Sequence, residues 1–157
     1  MERKRMIQPI TNVTEALAVM HAAFARYKTD AQPSSALEET IETFEQELAK
    51  GIHIFGAYEE GALVGIVKCK LTDAFGYFSR LSVLPNKQGR GIAKSLIAYC
   101  EQFTKDNGRD NMQCKVRKSE IANIALYERL GYVIIDEEVI YNTNGDAVSA
   151  VTMEKQL

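Results

Sequence analysis

The sequence predicts one mixed α/β domain, and three observations carry that reading. Strand-like alternation and helix-like spacing follow one another as βαα, a run of strands, then βαβα and a closing hairpin. A chain of 157 residues, 46% hydrophobic and 25% charged, can build one core without staples. The strand at 77–84 passes through a glycine-bearing loop into a helix that begins near Gly91. The rest of the chain is organised around that junction. No internal repeat, linker or low-complexity segment divides it.

Composition excludes several classes of function. A net charge of −2 offers no electrostatic ground for a nucleic-acid or anionic-membrane partner. No uninterrupted apolar run is long enough to span a bilayer. Met1-Glu2-Arg3-Lys4-Arg5 is charged but leads into no apolar signal segment, so export is not expected. Cys69, Cys100 and Cys114 are odd in number and lack Cys-x-x-Cys spacing, and His21 and His53 lie far apart. No metal site is expected from them. The cysteines read as small core hydrophobes, and the location as cytoplasmic.

Taken in order, Arg5 to Gln8 reads as a short strand closed by Pro9. Thr11, Asn12 or Thr14 can cap a helix with Leu17, Met20, His21, Phe24 and Tyr27 on one face, where His21 reads as packed rather than catalytic. Lys28 to Ser34 is a turn-rich loop. Ser35 with Glu38 three residues on predicts a capped helix with Leu37, Ile41, Phe44 and Leu48 inward. Its acidic residues, Glu39 and Glu47 among them, then form a solvated side, and Gly51 ends it. Ile52–Tyr58 and Leu63–Leu71 predict a hairpin about Glu59-Glu60-Gly61-Ala62. Beyond the central junction, a helix runs to about Asn107 with Gly108 as its stop, and Met112, Cys114 and Val116 alternate as a strand. Ser119 can cap a helix over Glu120–Leu130 that stops at Gly131. Tyr132–Ile140 and Ala147–Met153 form the closing hairpin about Asn142-Thr143-Asn144-Gly145-Asp146.

The junction reads Val83-Leu84-Pro85-Asn86-Lys87-Gln88-Gly89-Arg90-Gly91-Ile92-Ala93-Lys94-Ser95-Leu96. Pro85 removes a backbone donor and ends the strand, and Ile92, Leu96, Cys100 and Phe103 recur at helical spacing. Two glycines between them let backbone N–H groups converge at a helix N-terminus, which is an anion site. Lys87, Arg90 and Lys94 add cations, and the whole reads as a pyrophosphate cradle. A Walker A loop would need glycines where Gln88 and Ala93 stand. A dinucleotide fingerprint would need glycine at Lys94 and a place after the first strand.

Two motifs together resemble the GNAT-type N-acetyltransferases. Gln88-Gly89-Arg90-Gly91-Ile92-Ala93 matches that family's Gln/Arg-x-x-Gly-x-Gly/Ala loop for the pyrophosphate of coenzyme A. One helix and one strand later, Leu126-Tyr127-Glu128-Arg129-Leu130-Gly131-Tyr132 looks like its Leu-Tyr-x-x-x-Gly-Phe/Tyr signature. The order of elements from residue 5 onward resembles the family too. On its own the second stretch is an amphipathic helix with Tyr127 in its core face.

The resemblance implies a single domain over residues 1–157, with a mixed, mostly antiparallel sheet splayed at its central strand and helices on both faces. It implies acetyl-CoA as cosubstrate, with pantetheine along Leu81, Ser82 and Val83 and pyrophosphate on Gln88, Gly89, Arg90, Gly91, Ile92, Ala93 and Lys94. A backbone N–H near Val83 would hold the oxyanion, and Tyr127 would be the general acid for the departing thiolate. Asn123, one helical turn before Tyr127, would bind the pantetheine arm; many members carry that Asn two turns before the Tyr, where Glu120 stands. Arg129 or Lys94 could meet the 3′-phosphate.

The implied reaction moves an acetyl group to a primary amine of a small molecule or peptide by direct attack in a ternary complex. No base transfers by motif; Glu39, Asp73 and Glu137 are candidates, and Asp30 and Asp146 would suit a cationic amine. A covalent cysteine route needs an exposed, low-pKa thiol. A non-catalytic CoA-binding sensor on the same scaffold is the alternative from another class, and monomer and homodimer both stay open.

Overall fold

The computed structural model describes residues 5–25, 35–142 and 144–157. Seven strands form one sheet: β1 (Arg5–Pro9), β2 (His53–Glu59), β3 (Ala62–Leu71), β4 (Gly76–Val83), β5 (Asn111–Arg117), β6 (Val133–Tyr141) and β7 (Ala147–Gln156). Their spatial order is β1-β2-β3-β4-β5-β7-β6. Every neighbouring pair is antiparallel except β4 and β5, which are parallel and meet only at Gly76 with Met112 and Tyr77 with Gln113.

Helices α1 (Val13–Phe24) and α2 (Ile41–Ala49) cover one face, and α3 (Ile92–Asp106) and α4 (Ile121–Arg129) the other. Strand β3 is covered on both faces, so Val64, Ile66, Val67 and Cys69 are all buried despite pointing alternately up and down. On one side Ala16, Met20 and Phe44 pack on Ile54 and Ile66; on the other Leu96, Ile97 and Cys100 pack on Phe55, Val67 and Phe78. Phe55 takes the rings of Tyr99 and Phe103 edge-on at 4.7 and 5.2 Å, which fixes α3 against β2. Strand β6 is the outer edge, with Val133, Ile134 and Ile135 about half exposed.

The expected elements are present with three corrections. Asn12, of the three cap candidates, accepts from the Glu15 N–H at 3.0 Å, and the buried face of α1 is Ala16, Val19 and Met20 rather than a stripe through Leu17. Tyr27 and the loop from Lys28 to Ser34 lie outside the described residues. The helix expected from Ser35 is a single 3₁₀ turn over Ser35–Glu38, and α2 starts afresh at Ile41, capped reciprocally by Thr40 and Thr43. The cause is tertiary: the Ser35 hydroxyl accepts from Arg80, and Glu39 is drawn inward by two cations. Consequently only Phe44 of the expected α2 stripe is buried, while Ile41 and Leu48 are exposed. Helix α4 begins at Ile121 with Glu120, not Ser119, at its cap position.

Candidate active site

The junction folds as read, but with more detail than the sequence carries. After β4, Pro85–Lys87 forms a 3₁₀ turn, and Gln88 turns back to donate to the Val83 carbonyl at 3.3 Å. Gly89 and Gly91 follow with φ of +80° and +79°, the left-handed region that glycine enters without a Cβ penalty. Gly91 is the cap residue of α3, and among the described residues no side chain caps that helix. The N–H groups of Ile92, Ala93 and Lys94 therefore open outward with the positive end of the helix dipole behind them. Among the described residues, a Cβ at Gly89 would meet nothing within 4 Å, so the space beside that residue is open. Gln88, Gly89, Arg90, Gly91 and Lys94 are exposed around it, Ala93 is half-buried, and Ile92 is buried as the anchor of the helix.

The sheet opens where β4 leaves β5. Arg80 takes a left-handed conformation (φ +53°), and the β3 register jumps there, with Ile66 opposite Ser82 but Lys68 opposite Ser79. This is a β-bulge, which adds twist and bends the strand. The Ser82 hydroxyl donates to the Arg80 carbonyl at 2.8 Å and closes the bulge. With ladder contacts ending at Tyr77, the β5-facing edge of β4 from Ser79 onward has no partner strand among the described residues. A cavity of about 340 Å³ fills the gap, lined by Leu81 and Phe78 from β4 and by Cys114 and Val116 from β5. Ser82 and Val83 are buried and continue the strand toward the glycine turn.

Helix α4 delivers its side chains to the same cavity. Tyr127 is buried at 6% exposure and lines it, with its ring held edge-on to Phe78 at 5.5 Å. Asn123 and Glu120, on the preceding turns of the chain, line it as well. Tyr132, the last aromatic of the motif, does another job: its hydroxyl donates to Glu101 at 2.6 Å, and Lys155 joins the same carboxylate at 3.1 Å. Burial and that carboxylate push the Tyr132 hydroxyl well up, so it stays protonated and structural. Cys114 reaches the cavity, but burial pushes its thiol to about 12. Burial likewise pushes Cys100 up. The Cys100 thiol lowers Cys69, yet Cys69 is fully buried and does not line the cavity. None is a thiolate in reach of a ligand, and a covalent cysteine route has no support.

Of the carboxylates singled out in the sequence, Glu39, Asp73, Glu137 and Asp146 do not line the cavity. Glu39 is bound to Lys68 and to Arg80, the latter at 2.7 Å, and Glu137 to Lys118 at 2.7 Å. Asp73 sits in the turn at the far end of β4, and Asp146 is exposed beyond the β6–β7 turn, where the Asn142 side chain accepts its N–H. Asp30 lies outside the described residues. Arg129 and Lys94 are exposed on separate helices. Three residues that the sequence did not mark, Tyr77, Ser79 and Arg80, line both this cavity and a neighbouring groove lined also by Glu39, Thr43 and Glu47. A left-handed arginine in a bulge has no sequence signature. Among the described residues no group of three or more His, Cys, Asp or Glu side chains comes together as a metal site would need.

This mixed α/β fold with its seven-stranded, mostly antiparallel sheet matches solved acetyltransferase structures. The ribosomal-protein-S18-alanine N-acetyltransferase of Escherichia coli superposes with a TM-score of 0.78 at 19% identity, covering 98% of this chain and 94% of its own. The PaiA N-acetyltransferase of Thermoplasma acidophilum, solved in complex with coenzyme A, gives 0.79 at 17% identity over 98% and 99%. The model of the acetyltransferase (GNAT) family matches residues 17–132, and the chain belongs to that family. Among curated relatives, the uncharacterized N-acetyltransferase YobR of Bacillus subtilis is 29% identical over 71% of this chain and 51% of its own length. The N-alpha-acetyltransferase MAK3 of Arabidopsis thaliana is 32% identical over 58% and 50%. The chain thus spans about half the length of these curated relatives.

Proposed function

We propose that the protein is an acetyl-CoA-dependent N-acetyltransferase that modifies a primary amine on a small molecule or peptide. The observation that carries this reading is the convergence of two independent features on the open end of one strand. The glycine turn and the bare N-terminus of α3 continue directly from Val83, and the unpaired edge of β4 borders a cavity walled by Tyr127. A ligand with a diphosphate at one end and an amide-bearing arm at the other suits both: anion donors for the first, free strand groups for the second.

Acetyl-CoA would supply the activated acyl group. Leu81, Ser82 and Val83 would pair with its arm, Gln88 to Lys94 would hold its diphosphate, and Asn123 would bind the arm from α4. A backbone N–H near Val83 would stabilise the negative charge that develops on the acyl oxygen, where preorganised donors act most strongly. Tyr127 would give its proton to the leaving sulfur. The amine would enter from the α1–α2 face, where Tyr77, Ser79 and Arg80 line the cavity, and attack directly.

Thermal unfolding in the presence of acetyl-CoA, free CoA, ATP or NAD tests the reading. A ligand that binds only the folded state adds about 2.7 kcal/mol at a hundred times its dissociation constant. Acetyl-CoA and CoA should raise the midpoint while ATP and NAD do not. The same sample then enters a thiol-release screen against an amine library. No shift with acetyl-CoA would remove the cradle and the enzyme reading together.

A further inference from the structure

We propose that Arg5 is a positioning residue for the glycine turn: its guanidinium presets the Arg90–Gly91 peptide so that the Gly91 N–H faces an incoming diphosphate. The inference rests on the reading of that turn as a coenzyme A cradle. Arg5 opens β1, and the sequence shows it only as one cation of a charged N-terminus. In the fold it reaches three distant segments at once. Its Nη2 donates to the Arg90 carbonyl at 3.0 Å and its Nη1 to the Ser95 hydroxyl at 3.1 Å. Nε and Nη2 both donate to one oxygen of Glu59, at 3.4 and 3.2 Å. Ser95 passes the restraint on, since its hydroxyl donates to the Gly91 carbonyl at 3.0 Å. The two carbonyls that flank the Gly91 backbone are thereby tied down.

Peptide geometry turns this clasp into a function. No cis peptide is present among the described residues, and in a trans unit the C=O and N–H point in opposite directions. Holding the Arg90 carbonyl on Arg5 therefore aims the Gly91 N–H away from Arg5, the side on which the diphosphate is proposed to sit. The guanidinium is itself held from behind. Glu59 is 6% exposed, and a buried carboxylate requires a partner, which Arg5 supplies. The other Glu59 oxygen is buried without a hydrogen bond among the described residues and lies 3.8 Å from Arg90 Nη1. Because Arg5 is the nearer cation on Glu59, its contribution is orientation of donors; attraction is left to the exposed Lys94 and to Arg90, the more distant cation on that carboxylate. Lysine cannot replace it, because a single ammonium cannot span Glu59, Arg90 and Ser95 in a planar fork.

The test follows the Gly89 and Gly91 amide resonances of the full chain while CoA, and separately inorganic pyrophosphate, is titrated in. In the wild type both probes should shift these amides. In Arg5→Lys the Gly91 amide should already sit elsewhere without ligand, and both probes should bind at least tenfold more weakly while resonances of β5 to β7 stay in place. A merely structural role would move the unfolding midpoint but not single out Gly91. Should Arg5→Lys fail to fold, the pair Arg5→Gln with Glu59→Gln removes the clasp without stranding a buried charge, and the same loss is expected. Variants that bind both probes within twofold of the wild type overturn the inference. A wild type that binds neither probe overturns the cradle reading itself, and the two failures are told apart by which protein shows them.

Discussion

Arg80 donates from Nε to the Glu39 carboxylate at 2.7 Å while its own backbone occupies the left-handed region at φ +53°. One residue thus both forms the bulge that opens β4 and ties it to the segment before α2, where its Nη2 also reaches the Ser35 hydroxyl at 3.0 Å. The bulge has a conformational cost that the side chain offsets. Arg80→Gly removes the backbone penalty together with the clasp, whereas Arg80→Ala keeps the penalty and loses the clasp. Urea unfolding should find Arg80→Ala less stable than Arg80→Gly by about 1 kcal/mol. Equal stabilities would mean that φ here is not strained.

Behind that pair lies Lys68, 2% exposed, held by Glu39 and Glu47 with its ammonium 4.3 Å from the centre of the Phe44 ring. Replacing the buried cation by an apolar chain of similar length removes the desolvation cost along with the pairing, while removing a carboxylate leaves the cation under-partnered. Lys68→Met should therefore be tolerated better than Glu39→Ala, by about 1–3 kcal/mol in chemical denaturation. The reverse ranking would show that the carboxylates, not the ammonium, are the costly members of the cluster.

Tyr127→Phe separates enzyme from binding module. The ring contact with Phe78 is kept, so CoA affinity should stay within about threefold while turnover by thiol release falls roughly 10²–10⁴-fold, the usual span for a lost general acid. Undiminished turnover would take the proton-donor role from Tyr127.

Gly91 and Gly76 are needed for different reasons, and their alanine variants should differ in kind. At Gly91 the nearest atom to a Cβ is Arg5 Nη1 at 3.9 Å, so Gly91→Ala meets only the left-handed backbone cost of about 1–2 kcal/mol. At Gly76 a Cβ would lie 2.2 Å from Thr104 Oγ1 on α3, which forces overpacking worth about 1–3 kcal/mol. Calorimetry should register both losses. CoA titration should register only Gly91→Ala.

Alkaline pH should weaken the fold through Cys114. Its thiol rises from 9.0 to about 12 on burial, so between those values the native state holds a proton that the unfolded chain releases. The native state therefore loses stability as pH climbs above 9, at up to about 1.4 kcal/mol per unit for this one group. Tyr132 and Cys100 act in the same sense, so the readout is the difference between wild type and Cys114→Ala. The wild type should show the steeper decline from pH 8 to 11, and parallel curves would count against a buried, protonated Cys114.

Much of this fold was legible because its signals are local. The turn at Gly89 and Gly91, the start of α3, the hairpin about Gly61 and the Asn142 turn each depend on residues within a few positions of one another. The helix expected at Ser35 shows where such signals fail. Ser35 and Glu38 satisfy a capping pattern, but Ser35 and Glu39 are engaged by Arg80 and Lys68 from the sheet. Ion pairs and a hydrogen bond to strands 29 to 45 positions away outweigh a cap of about 1 kcal/mol. The same limit hid Arg80 and Arg5 and misplaced Glu39 on a solvated face.

The amino-acid order by itself determined the succession of elements, the glycine turn with its helix start, and the two motifs that mark the family, since each is written in nearest-neighbour chemistry. Only the tertiary structure decided that β4 parts from β5 after Tyr77, that Tyr127 and Asn123 reach the resulting cavity, and that Arg5 grips a turn eighty-five positions away. Pairing between strands and contacts of a guanidinium depend on which distant groups are left without partners once the core closes. That is a property of the whole packed chain and of no segment within it.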